Sequence, residues 1–560
     1  MDNQDNTFRV GLCMAGAISA GAYTAGVMDY LIEALEEWEK RRASGDSNVP
    51  SHKVEIPVTG GASAGGMTSV IFASAIRESI NPVREVFKDE NDNLLKPKVS
   101  NKFYHSWVDL ISDDMLKVLL DTSDIKNGEL ESVLNADFIE KIADRAIEAS
   151  DEKIHRTYIA EQLKVFTTLV NLKGMDFNVV FNSDSSKDST YIITNHSDFA
   201  CFKLAESEAD YSNDGWIPLN FNKKINTRIV KDAAIATGAF PVGLKARTVT
   251  RDAKYMNDLN WFDYITKDAK MPFPTTKPYT TVNVDGGTVN NEPFENVRNI
   301  LTDITKQDSI EDYQSFDKFK STVLMIDPFP SQTVDFNSST ELKSVIGNTL
   351  GALIDQSRIK SSTLIDTKGS NRAGQFLIAP VRYDTKNDER IEGEKAIACG
   401  SLGGFGGFVS KEFRIHDYFL GRGNCEKFLR DYFTVPLHTT NEIFVNGYAN
   451  VKDKTPYITI NDKGEKRLQI IPIFTESTKR MYMPTFVNNQ KWPTVKVNYL
   501  QSYKSQIKKR IEKVILNFAT YTSLQKVLLW VGCRVIINGK IANSILDMMT
   551  ESFKKHKLLD

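Results

Sequence analysis

The stretch Val54-Glu-Ile-Pro-Val-Thr-Gly-Gly-Ala-Ser-Ala-Gly-Gly66 constrains the fold more than any other part of this sequence. Its apolar start, Val54 to Val58, reads as a buried strand, and an apolar helical stretch follows the glycines. A strand that turns straight into a helix through small residues needs a close backbone approach, which glycine permits. Gly61-Ala-Ser-Ala-Gly65 fits G-x-S-x-G, in which a serine sits in strained backbone on a sharp strand-to-helix turn. The turn aims Ser63 Oγ outward at a helix N-terminus, where unpaired amides and the helix dipole favour developing negative charge. The bare pattern is common by chance, and its weight here comes from the strand before it and the helix after it. A Gly/Ser-rich turn without chemistry would read the same on this stretch alone.

The same order opens the chain. Phe8 to Met14 is an apolar run, Ala15 to Gly21 a small-residue loop, and a helical pattern starts near Ala22. Tyr23, Val27, Tyr30, Leu31, Ala34, Leu35 and Trp38 recur at helical spacing, with acidic and basic residues opposite. Two strand–turn–helix units predict an α/β core with a mostly parallel sheet covered by helices. Residues from about 90 to 165 read as a polar, mostly helical insertion, and Val165 to Leu204 as a β-rich meander. Lys231 to Ala239 reads as a helix ended by Phe240-Pro241. Thr280 to Val284 is a strand leading into Asp285-Gly-Gly287, and Val323 to Ile326 and Phe376 to Ala379 are further buried strands. Beyond about residue 434 the sequence turns polar and then helical from about Val497. The reading divides the chain into a domain over 1–433 and an accessory C-terminal region over 434–560.

Lys plus Arg number 70 against 72 Asp plus Glu, a formal net charge of −2, which argues against nucleic acid as a bulk partner. The polar, acidic stretch Met1 to Thr7 is unlike a secretory signal. The longest apolar run, Val527 to Ile537, contains Arg534 and falls short of the roughly 20 residues a bilayer span needs. Five cysteines (13, 201, 399, 425 and 533) form no Cys-x-x-Cys pair, which suits a reducing cytoplasm. Metal signatures are lacking, so neither metal nor cofactor is expected.

Serine needs a base. Asp285 follows an apolar strand and precedes two glycines, which in a parallel sheet sets a carboxylate at the carboxyl edge, where sites gather. A turn-capping aspartate would look alike, but the elbow shifts the balance to chemistry. The order of a small-residue loop, G-x-S-x-G and D-G-G resembles the patatin-like phospholipases. Gly21-Ala-Tyr-Thr-Ala-Gly-Val27 is similar to that family's helix start, Thr237-Gly-Ala-Phe-Pro241 to its Phe-Pro segment, and Asp285-Gly-Gly-Thr-Val-Asn-Asn-Glu-Pro293 to its extended D-G-G signature. The resemblance covers about residues 8 to 300. It implies a three-layer α/β/α core and a Ser–Asp dyad without histidine. Ser63 would be nucleophile and Asp285 base, with Gly61 and Gly65 shaping the elbow and Gly286 and Gly287 the D-G-G turn. It further implies a lipid or membrane surface as source of substrate, peripheral membrane association, and room for a homo-oligomer or ligand-regulated assembly. The oxyanion loop would be Gly16, Ala17 and Ile18. There the family's G-G-G-x-R-G becomes Gly16-Ala-Ile-Ser-Ala-Gly21, a departure that bears on efficiency, because losing one oxyanion donor costs about 10²–10³ in rate.

Other residues compete for roles. Ser63, Asp285 and His416 run in the order of a hydrolase triad, but His416 reads as a partly exposed structural histidine on an amphipathic helix. Gly403-Gly-Phe-Gly-Gly407 lacks the spacing of a nucleotide-binding loop and reads as a flexible loop near the site mouth. Ile507, Ile511, Val514, Ile515 and Phe518 form one helix face flanked by lysines and Arg510, which fits core packing better than a membrane surface. The sequence therefore predicts a lipid acyl hydrolase. Beside it stand a catalytically silent module on the same fold, binding membrane or a partner, and a hydrolase of non-lipid esters.

Overall fold

In the first strand, β1 (Thr7–Met14), the side chains of Phe8, Val10, Leu12 and Met14 enter one hydrophobic core, and Cys13 enters a second on the other side. Alternate residues of a strand point to opposite faces, so a strand apolar at every position is buried on both. That is the signature of a sheet between two helical layers, and the computed structural model has this form. It describes residues 6–89, 94–180 except 127, 190–259, 276–330 except 308, 373–474 except 385–386, 481–519 and 538–560, with isolated positions between 340 and 352.

Among the described residues the central sheet has nine strands. These are β1, β2 (Lys53–Gly61), β3 (Ile159–Val180), β4 (Thr190–Leu204), β5 (Ile217–Leu219), β6 (Arg247–Arg251), β7 (Tyr279–Asp285), β8 (Ser321–Ile326) and β9 (Gln375–Ile378). The run β3-β2-β1-β8-β9 is parallel. Helices α1 (Gly21–Ala43), α2 (Ser63–Ala75), α3 (Phe138–Ile147), α4 (Thr227–Thr237) and α5 (Lys411–Asp431) contribute to the larger core. On the opposite face Val297, Ile300 and Leu301 of a further helix, Phe294–Thr305, pack against Cys13, Val58 and Val323. Three layers and a mostly parallel sheet are as the sequence predicts. Two accessory helices, α6 (Lys504–Asn517) and α7 (Asn538–Lys555), close the chain.

Several expectations need correction. The β-rich stretch after Val165 is one long antiparallel hairpin of β3 and β4, not a meander of short strands. Between 94 and 158 helix is confined to short pieces such as Met115–Leu119 and Phe138–Ile147, and much of the rest is irregular yet buried, including Leu110, Leu120 and Tyr158. Strand β7 does not belong to the parallel set. It pairs antiparallel with the far half of β3, Leu169 opposite Asp285, and carries β6 on its other edge. The apolar run Val527 to Ile537, with Cys533, lies outside the described residues. No described helix is long and apolar enough to cross a membrane.

Candidate active site

The turn from β2 into α2 explains its own glycines. A Cβ on Gly61 would fall 2.4 Å from the Met14 carbonyl oxygen, and one on Gly65 would fall 2.0 Å from that oxygen, so larger residues would push β1 away. Between them Ser63 begins α2 with φ of +50°, the left-handed region that L-residues occupy at a cost. Its backbone N–H donates to Thr237 Oγ1 at 2.9 Å.

Asp285 reaches the site by a route the sequence did not indicate. Gly61 of β2 stands beside Thr167 of β3, and two residues further along β3 Leu169 stands beside Asp285. Asp285 therefore does arrive at the carboxyl edge of the parallel strands, but on a strand running towards that edge from outside. The Asp285 N–H donates to the Ala239 carbonyl at 2.9 Å, and Asp285 Oδ1 accepts the Gly287 N–H at 2.8 Å. The segment Thr237 to Ala239 thus bonds the backbones of both Ser63 and Asp285. Gly286 sits against the Thr168 carbonyl, where a Cβ would come within 2.1 Å.

Gly16, Ala17 and Ile18 lie alongside. A Cβ on Gly16 would fall 3.1 Å from Ser63 Cβ and 2.3 Å from Asn291 Oδ1, and one on Gly287 would fall 2.6 Å from the same Asn291 oxygen. Asn291 is thereby wedged between the loop and the D-G-G turn. Among the described residues the amides of Gly16 and Ala17 donate to no acceptor of the chain. Ile18 has φ of +49°, an outlier for a β-branched residue.

Ser63, Asp285 and Ile18 line one cavity of about 110 Å³ whose remaining wall is nearly all apolar, including Trp107, Leu119, Phe138, Ile142, Phe405 and Phe408. Helix α3 presents its apolar face to the cavity, while Glu140 and Asp144 pair with Lys231 of α4 at 3.2 and 2.8 Å. Such a chamber suits an apolar chain, with polar groups confined to the reacting end.

Neither competing motif behaves as expected. His416 is buried rather than partly exposed, on a helix whose residues Phe413 to Arg422 are buried without interruption. Its Nδ1 bonds Asp417 Oδ1 at 2.7 Å, its ring packs on Trp492, and it does not line the cavity. The Gly403–Gly407 segment is wound into short 3₁₀ turns packed on Ile18 and Ser19, with Gly404, Gly406 and Gly407 buried. In α6, Ile507 packs inward as the spacing predicts. Arg510, expected on the charged flank, is buried instead and donates to the carbonyls of Asp121, Ser132 and Val133 and to Asp124. No cluster of metal-ligating side chains occurs among the described residues.

The family model for patatin-like phospholipases matches residues 12–298. An uncharacterized protein, y4iI, of Sinorhizobium fredii (strain NBRC 101917 / NGR234) is 30% identical over 547 residues, covering 92% of this chain and 76% of its own. A strained serine at a strand-to-helix turn and an aspartate lining the same apolar chamber, in a three-layer α/β/α core, fit an acyl hydrolase. The chain belongs to the patatin-like phospholipase family.

Proposed function

We propose that this protein hydrolyses carboxylic esters of lipids through a Ser63–Asp285 dyad. One observation carries the reading: the strained Ser63 and Asp285 share an apolar chamber beside the amides of Gly16 and Ala17, which have no acceptor among the described residues. Asp285 takes the proton of Ser63 Oγ as that oxygen attacks the ester carbonyl carbon. The carbonyl oxygen gains negative charge and is held by the free amides of the Gly16–Ile18 loop and the N-terminus of α2. The C–O bond to the alcohol breaks, the alcohol leaves with the proton from Asp285, and Ser63 carries the acyl group. Water then gives a proton to Asp285 and attacks the acyl-enzyme, releasing fatty acid and restoring Ser63.

The apolar wall favours an acyl chain over a polar ester. Phe240 both lines the cavity and is 42% exposed, and Val242, 77% exposed, stands two residues on in a left-handed turn. These apolar side chains support entry of substrate from a lipid surface. The reading is tested with a fluorophosphonate probe and with fatty-acid release from phospholipid vesicles. Labelling should vanish in Ser63→Ala, and Ser63→Ala and Asp285→Asn should each lose lipid turnover while His416→Ala retains it. Retained turnover in Ser63→Ala or Asp285→Asn sinks the dyad.

A further inference from the structure

The oxyanion loop cannot hold its shape unaided. Ile18 stands at φ of +49°, and a non-glycine residue persists in such a conformation only where its surroundings over-determine it. The family's glycines would carry that conformation without strain. Here the loop has Ala17, Ile18 and Ser19 instead, and support comes from a segment nearly 400 residues away.

Ser19 is buried and its hydroxyl makes two bonds to that segment. Oγ donates to the Gly404 carbonyl at 2.5 Å and accepts the Gly407 N–H at 3.0 Å. Contact is close enough to require glycine at both ends. A Cβ on Gly404 would lie 3.3 Å from Ile18 Cβ, and one on Gly407 would lie 2.7 Å from Ser19 Oγ. The segment is itself held at three points. Asp417 accepts the amides of Ala398 and Cys399 at 2.8 Å each. The buried Arg414 donates to the Gly407 carbonyl at 2.6 Å and the Val108 carbonyl at 2.8 Å. The Leu402 N–H donates to Ser552 Oγ of α7 at 2.8 Å, which holds Leu402 in its own left-handed conformation, φ +57°. Phe405, between these anchors, and Phe408, just after the last, contribute to the cavity wall.

We infer that the catalytic site is completed by the C-terminal third of the chain: α7, through Ser552, sets the glycine segment, and that segment, through Ser19, holds the oxyanion loop against Ser63. Ser19 and Ser552 are positioning residues that touch no reacting atom. Residues 398–408 and 538–560 both lie outside the stretch 12–298 that matches the family, so the part of the chain that carries the dyad does not contain all that shapes its site. The inference rests on the reading of Ser63 as nucleophile, but the tether has a readout independent of it.

The test uses the full chain with Ser19→Ala, Ser552→Ala and the conservative Ser552→Thr. On a water-soluble short-chain ester, Ser19→Ala should lower kcat about ten- to a hundredfold, short of the full loss of an oxyanion donor. Ser552→Ala should lower kcat about three- to tenfold, Ser552→Thr should restore it, and KM should be unchanged throughout. Hydrogen exchange should quicken at the amides of Ala17 to Ala20 in Ser552→Ala while the central strands keep their protection. If kcat in both alanine variants stays within about twofold of the parent and exchange at Ala17 to Ala20 is unaltered, the tether is refuted. Were the parent itself to lack Ser63-dependent turnover, the hydrolase reading would fall and the exchange result alone would decide the tether.

Discussion

Ser63 occupies a backbone conformation that costs an L-residue on the order of 1–3 kcal/mol, and Thr237 is the neighbour that offsets the cost. The Thr237 hydroxyl is fully buried and accepts the Ser63 N–H, so the strained amide of Ser63 is satisfied by a side chain. Replacing it with the isosteric valine leaves that N–H buried without a partner, a loss of about 1–3 kcal/mol. Thr237→Val should therefore lower the denaturant midpoint and reduce kcat more than it raises KM; unchanged kcat would show that the elbow holds itself. At this scale much was legible. The tight turns at Gly61 to Gly65 and at Asp285 to Gly287 form where the local sequence predicts them, because a sharp turn constrains residues adjacent in the chain. Thr237 and Asn291 lay within stretches singled out by resemblance, yet no local pattern tells which hydroxyl or amide will face Ser63 from 174 residues away.

The elements that carry the site are tied by a buried charge cluster. Helices α1 and α5 approach so closely that a Cβ on Gly26 would fall 1.9 Å from the Tyr418 carbonyl oxygen and one on Gly421 2.2 Å from that of Tyr23. Where they cross, Arg422 pairs with Asp29 and Glu33, and Asn101 Nδ2 donates to Asp29 Oδ1 at 2.7 Å. Burial pushes the Asp29 carboxyl above its ordinary range even with Arg422 beside it. Removing the arginine leaves an uncompensated acid in the interior. Arg422→Met should cost about 3–5 kcal/mol in urea unfolding, and Asp29→Leu added to it should recover most of that loss. A cost below about 1 kcal/mol would mean the pair is dispensable. The apolar spacing of α1 was plain in the sequence, but Asp29, read among the charged residues opposite, is buried, as is every residue from Gly21 to Ile32. The burial of its partner was not plain, since α5 reads as an amphipathic helix around His416, yet its charged and apolar residues alike are buried from Phe413 to Arg422.

At the scale of the whole molecule, the first strands and the accessory region share a core, with Phe8 and His52 packed on Phe444 and Leu12 in the same cluster as Ile470. His52 sits at that joint, its Nε2–H donating to the Ile470 carbonyl at 2.8 Å while Nδ1 is buried without a partner. Burial brings its imidazole down from 6.5 to about 4. The unfolded chain therefore binds a proton between those values that the folded chain refuses, so stability is present above pH 6.5 and drains away as pH falls towards 4. The full difference is about 3 kcal/mol. In His52→Phe the slope of unfolding free energy against pH should flatten by that amount across this window, leaving the carboxylates' contribution; an unaltered slope would place the titration elsewhere.

What the sequence determined by itself was the family, the layering and the tight turns. A strand buried on both faces, a turn too tight for anything but small residues and a carboxylate at a strand's end are dictated by neighbours along the chain. Tertiary structure alone decided how the pieces complete one another: β7 entering antiparallel to bring Asp285 beside β3, Thr237 bracing Ser63, and the glycine segment at 403–407 packing on the loop at Ile18 and Ser19. That segment reads as a loose loop because glycine signals freedom when its surroundings are unknown. In the folded chain the same missing side chains let it lie against Ile18 and Ser19, and close packing turns a flexible sequence into a rigid support.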